Sequence, residues 1–161
     1  MKKIGPYLNS QKYSECQLVT IINAAIFLGE SPIDPDSEEY ERLVDVVKAR
    51  IGAAITIDKA IEYLRLNYDY IPKNLRYLKK YLRNGYPVEI GVQHHKTGFH
   101  SCLVVDERNN YLKVANFRHV TSKHGWIHWN TLKKYVDRGT IVNVTPCKGR
   151  FRYFFIDDFI G

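Results

Sequence analysis

The hydrophobic period of the chain changes part-way along. In the first half, apolar residues recur every three or four positions, the repeat of helices with one buried face. From Leu18 to Leu28 most positions are apolar, which predicts a helix buried around most of its circumference and therefore central. Ser14 and Gln17 have the spacing of a capping box at its start, and Gly29 marks its end. A loop with Pro32 and Pro35 leads to a predicted helix from about Ser37, with Tyr40, Leu43, Val44, Val47 and Ile51 on one face and Gly52 at its end. Thr56 can cap a third helix carrying Ile57, Ala60, Ile61, Leu64 and Tyr68 on one side. Pro72 suits the first turn of a fourth, which turns Leu75, Leu78 and Leu82 inward and stops at Asn84-Gly85.

After Pro87 the period drops to two. Val88, Ile90 and Val92 alternate with Glu89, Gly91 and Gln93, as in a half-buried strand. Further strands are expected over His100–Val105 and Tyr111–Asn116, with turn chemistry in Glu107-Arg108-Asn109-Asn110 between them. A short helix over Asn130–Val136 and strands near Thr140–Val144 and Phe151–Ile156 complete the pattern. Helices first and antiparallel strands afterwards predict an α+β fold. The 161 residues suit a single domain, 1–161, able to bury a core without disulfides or metals.

Composition narrows the setting. The content of 45% hydrophobic and 25% charged residues is that of a soluble globular protein. The basic start Met1–Pro6 lacks the apolar core of a signal peptide, and the Leu18–Leu28 run, broken by Thr20 and Asn23, is too short to span a bilayer. No membrane association is expected. Cys16, Cys102 and Cys147 are odd in number and widely spaced, which argues against a disulfide framework and fits a reducing cytoplasm, where a thiol stays available.

The net charge of +7 is read first as a basic solvated surface. Lys73, Arg76, Lys80 and Arg83 fall along one side of the fourth helix, with Tyr77 and Tyr81 between them and the leucines. Such a stripe can follow a phosphate backbone or meet a weakly held anionic partner; it is also the ordinary solvated face of an amphipathic helix. A basic nucleic-acid- or protein-binding module is therefore the competing functional class.

The candidate chemistry starts at Cys16, in the first turn of the central helix. Unpaired amides and the helix dipole there favour a thiolate. Gln11, five residues earlier, has a side-chain amide that can donate to an oxyanion together with the Cys16 main-chain amide. If the strands either side of Arg108 pair symmetrically, His100 faces Asn116 with Cβ atoms about 5 Å apart, and an amide oxygen can orient the imidazole. A two-residue turn at Asn109-Asn110 instead puts His100 opposite His119, and turn chemistry alone leaves both registers open.

The ordered set Gln11, Cys16, His100, Asn116 resembles the papain-like cysteine peptidases, and most closely the branch related to the bacteriocin-leader (double-glycine) peptidases. Gly85-Tyr86-Pro87-Val88-Glu89-Ile90 matches the segment that precedes the His. Phe99-His100-Ser101-Cys102-Leu103-Val104-Val105-Asp106 matches the strand the His starts, and Leu112-Lys113-Val114-Ala115-Asn116 the strand that ends in the third residue. The resemblance implies a papain-like fold, with the Cys on a central helix in a helical N-terminal half and an antiparallel sheet in the C-terminal half. It implies a peptide or protein substrate and no cofactor. Cys16 would attack an amide carbonyl, His100 would shuttle the proton, Asn116 would orient His100, and Gln11 would stabilise the oxyanion before water hydrolyses the thioester. Capture of the thioester by an amine would make the same triad an acyltransferase. Two positions depart from the branch. Gln17 follows the Cys where Gly is frequent, and Asn116-Phe117 stands where Asp-Pro is common.

Other candidates carry less. His124 and His128 have the i, i+4 spacing of helical metal ligands, but no carboxylate completes a set, and no metal is expected. Trp126 and Trp129 could shield the catalytic pair. His94-His95 has no assigned role, and the acidic stretch Asp34–Glu41 reads as a capped, solvated helix start.

Overall fold

The computed structural model describes residues 5–9, 16–30, 37–38, 41–42, 45, 61–62, 64–94, 98–138 and 150–156. Its elements are α1 (Cys16–Phe27), β1 (Leu66–Pro72), α2 (Leu75–Arg83), β2 (Val88–His94), β3 (Gly98–Arg108), β4 (Tyr111–Ala115), β5 (Trp126–His128), α3 (Trp129–Arg138) and β6 (Arg150–Ile156). The strands form one antiparallel sheet in the order β1-β6-β2-β3-β4-β5. The fold is α+β, with a Cys-bearing helix packed on an antiparallel sheet.

Both faces of the sheet are covered. Leu103 and Val105 of β3, Ala115 of β4 and Phe154 of β6 pack on Ile21, Ala24 and Ala25 of α1. On the other face, Val88, Ile90 and Val92 of β2, Cys102 and Val104 of β3, and Leu112 and Val114 of β4 meet Leu78 of α2 and Leu132 and Val136 of α3. The alternation along β3 therefore decides which layer each side chain enters. It also explains Glu89. The alternating pattern predicts a half-buried strand, but β2 is covered on both sides and Glu89 is 1% exposed.

The helix ends follow local chemistry. After α1, Gly29 adopts φ +77°, and the amides of Gly29 and Glu30 reach back to the carbonyls of Ile26 and Ala25, a Schellman ending. Gly85 closes α2 in the same way, through Leu82 and Tyr81. The start of α2 differs from expectation. Pro72 is the last residue of edge strand β1, and the cap is Asn74, whose side-chain oxygen accepts the Tyr77 amide at 3.0 Å. Tyr68 is likewise a strand residue. Ile61 and Glu62 are helical, Arg65 turns with φ +60°, and the chain then pairs with β6, so sheet pairing overrides the helical spacing of Tyr68. Glu38, Glu41, Arg42 and Asp45 are helical within the second predicted helix; most of that helix and of the third lies outside the described residues, as does the strand near Thr140–Val144. Strand β5 was not anticipated.

The β3–β4 register is set by Asn109 and Asn110, at φ +50° and +69°, in a two-residue turn that pairs Arg108 with Tyr111. A bulge between Val104 and Asp106 then shifts the pairing by one, giving Leu103 opposite Ala115. The symmetric pairing of His100 with Asn116 does not form, because this register would carry Asn116 opposite Cys102 and because β4 ends at Ala115. Among the described residues no helix is long and apolar enough to cross a membrane. Because the Asn74 cap satisfies an otherwise unpaired α2 amide, Asn74→Ala should cost about 1 kcal/mol. Thermal unfolding should register this as a fall of about 2–4 °C in Tm.

Candidate active site

Cys16 opens α1, and α1 is tied to β3 by a hydrogen bond one turn further on. Thr20 Oγ1 donates to the Ser101 carbonyl at 3.1 Å, and the Ser101 amide meets the Cys16 thiol. Thr20 and Asn23, the polar residues that interrupt the apolar run, are thus both used. Asn23 accepts the Leu8 amide at 2.8 Å and donates to the Leu8 carbonyl at 3.0 Å, pinning the preceding segment to the helix. Gln11, the candidate oxyanion donor, lies outside the described residues, as do Ser14 of the expected cap, His95 and Cys147.

His100 precedes Ser101, so the peptide that meets the thiol begins at the residue bearing the imidazole. The ring is buried, and Phe117 stacks on it with centroids 5.9 Å apart. Its Nε2 contacts the main-chain carbonyl of Asn116. A carbonyl only accepts, so Nε2 carries the proton and Nδ1 is the basic nitrogen of the neutral ring. Asn116 adopts φ +69°, a conformation Asn tolerates better than most residues, which turns that carbonyl toward His100. Its side-chain amide donates to the Ser101 carbonyl at 3.3 Å. Asn116 therefore does reach His100, but the contact runs through the main chain at the end of β4, not across a strand pair.

Burial governs the electrostatics. The Cys16 thiol is pushed above its ordinary range, chiefly by burial and also by the Glu89 carboxylate. The amides of Ser101, Gln17 and Cys16 pull it down but do not prevail. The helix start thus acts in the expected direction and is outweighed by desolvation. Burial likewise lowers His100, helped by His119, Arg118 and His94, while the Asn116 carbonyl opposes the shift. Near neutral pH, shifts in these directions leave Cys16 a thiol and His100 a neutral imidazole, not the thiolate expected from the helix position.

Several residues around the site had no signal in the sequence pattern. Ser101, Thr20, Phe117 and the His94 ring, which stacks against His119 at 6.3 Å, are assembled only by the sheet. The ring on His100 is Phe117, whereas Trp126 lies under the Arg108 guanidinium. His124 sits in a turn and His128 in β5, so the two do not share a helix face. Of the basic stripe, Lys73 donates to the Val136 carbonyl at 2.7 Å and leaves the row. Arg76, Lys79, Lys80 and Arg83 line a shallow groove of about 590 Å³, with Glu107 beside Lys79 and Arg83.

No protein-family model matches the chain, and no curated protein matches it by sequence. Solved structures do match. A protein from Bacillus anthracis described as a C39-like peptidase superposes with a TM-score of 0.59 at 9% identity, over 98% of this chain and 99% of that one. The chain has the fold of a C39-like peptidase. The peptidase domain of Streptococcus ComA, a bifunctional ABC transporter of a quorum-sensing pathway, superposes equally well, with a TM-score of 0.59 at 16% identity over 93% of this chain and 97% of that domain.

A raised thiol has a defined consequence for labelling. In the unliganded protein, alkylation of Cys16 by iodoacetamide should be slow at pH 7 and climb roughly tenfold per pH unit through pH 8, because only the thiolate reacts. A rate already level below pH 7 would instead mean a preformed thiolate–imidazolium pair.

Proposed function

We propose that the protein is a thiol hydrolase, a cysteine peptidase, that cleaves a peptide or amide bond with Cys16 as nucleophile, His100 as general base and Asn116 as the residue that orients the imidazole. The observation that carries this reading is the Nε2 contact of His100 with the Asn116 carbonyl, which leaves Nδ1 as the base on the residue adjoining the thiol-bound peptide. The C39-like fold supports it.

In this reading Nδ1 takes the thiol proton as Sγ attacks the substrate carbonyl carbon. The carbonyl π pair moves to oxygen, where the Cys16 amide and Gln11 would receive it. Collapse expels the amine, which takes the proton from His100 and leaves a thioester on Cys16. Water then attacks the thioester, giving its proton to His100, and the acid departs as the thiol reforms. A neutral pair suits this sequence, because a base with its proton-accepting nitrogen unprotonated at neutral pH is ready to act. A reducing compartment such as the cytoplasm keeps Cys16 in the required state.

Cleavage of a peptide mixture, followed by mass spectrometry, tests the proposal. Cys16→Ala should abolish cleavage with Tm unchanged, and His100→Ala should slow it at least about a hundredfold. Undiminished cleavage by Cys16→Ala would overturn the reading. Products carrying an added amine in place of water would reassign the protein as an acyltransferase.

A second reading has one observation in its favour, the groove lined by Arg76, Lys79, Lys80 and Arg83. It supports an anionic partner held on α2. Binding of a fluorescent oligonucleotide or acidic peptide should then weaken steeply with salt, and Arg76→Ala/Lys80→Ala should weaken it further while leaving cleavage intact. No binding even at low salt would eliminate this partner.

A further inference from the structure

On the α1 side of the sheet lies a buried ion pair that the mechanism above does not use. Glu89 of β2 and Arg152 of β6 are cross-strand partners, 1% and 2% exposed. Glu89 Oε1 accepts a hydrogen bond from Arg152 Nε at 2.6 Å, and Nη2 of the same guanidinium lies 2.5 Å from that oxygen as an ion-pair contact. The guanidinium lies over Tyr68 and Phe154, at 4.8 and 5.6 Å from their ring centres. The other carboxylate oxygen, Oε2, accepts the Ser101 hydroxyl at 2.5 Å. The pair thus extends to Ser101, the residue that follows His100 in the chain.

Ser101 is held through its main chain and its side chain. The Ser101 carbonyl accepts from Thr20 Oγ1 and Asn116 Nδ2, its amide meets the Cys16 thiol, and its hydroxyl is anchored on Glu89. A buried pair is costly to desolvate, and apolar residues of similar size usually stabilise a fold at least as well. Fixing one geometry is the best-supported reason to keep such a pair.

We propose that Ser101 is a positioning residue, clamped by the buried Glu89–Arg152 pair so that its main-chain amide stays directed at the Cys16 sulfur. The inference rests on Cys16 being the nucleophile. A donor fixed in place needs no reorganisation when charge develops on sulfur, which is where such a donor contributes most. The titratable group that acts on the thiol from the strands is Glu89 of β2, while Cys102 of β3 lies on the opposite face of the sheet and His100 adjoins Ser101 in the chain.

Ser101→Ala cuts the link and leaves the ion pair in place, and Ser101→Thr keeps a hydroxyl. Iodoacetamide labelling of Cys16, located by peptide mass, is followed in the full chain from about pH 6 to about pH 10 beside thermal unfolding. Folded Ser101→Ala should label at least about threefold more slowly at pH 8, with its profile moved to higher pH. Ser101→Thr should return to within about twofold of the unmodified chain. A merely structural serine would change Tm and leave the profile alone, so a folded Ser101→Ala whose profile superimposes on that of the unmodified chain overturns the proposal. Should Ser101→Ala fail to fold, Thr20→Val removes the hydroxyl that holds the carbonyl of the same residue, and the same shift or its absence decides. Labelling requires no substrate, so this outcome is separate from the cleavage test of Cys16→Ala.

Discussion

The obligation of buried backbone groups to find hydrogen-bond partners shapes the candidate site. Strand β3 runs on past the end of β4, which stops at Ala115. Around Ser101 the polar groups are met by side chains from elsewhere: Thr20 and Cys16 from α1, and Asn116 from the turn after β4. The same few contacts dock the central helix, set its N-terminal end against β3, and fold the chain after β4 back toward His100. Helix, strand and turn converge because one strand end would otherwise be left unsatisfied.

The price of this convergence is burial, and burial determines the protonation states. A thiol at a helix start is commonly regarded as activated, and the amides that would activate Cys16 are present. Desolvation of the sulfur is the larger effect, and Glu89 adds to it. His100 is buried too and stays neutral. The result is a thiol and a neutral imidazole at rest near neutral pH. A charge developing on the sulfur would meet donors already oriented toward it, which stabilise it more strongly than water does.

The core and the polar network use opposite faces of the same strand. Cys102 and Val104 join the apolar layer beneath α2 and α3, while Ser101 and Leu103 face the α1 side. On that side the Glu89–Arg152 pair is roofed by Tyr68 and Phe154. Alternation along β2 distinguishes two faces but cannot say whether the polar face meets water or another layer. Glu89 therefore reads as a solvated residue until the sheet is assembled, and Arg152, a distant strand residue of opposite charge, gives no local sign of being its partner.

The sequence by itself determined the α+β class, the central apolar helix, the α2 core face, and the positions of β2, β3, β4 and β6, because those features depend on periodicity and on turn residues that act locally. Chain order also sufficed to name Cys16, His100 and Asn116 as candidates. Only the tertiary structure decided the β3–β4 register, since it turns on a single-residue bulge that adds no distinctive residue to the chain. It alone turned the Asn116 carbonyl onto His100, set Phe117 on the ring and brought Glu89 and Arg152 to Ser101. It alone moved Tyr68 from helix to strand, through pairing with β6 more than eighty residues away. Each of these depends on contacts between segments remote in sequence, whose energies outweigh the local preferences that a linear reading can register.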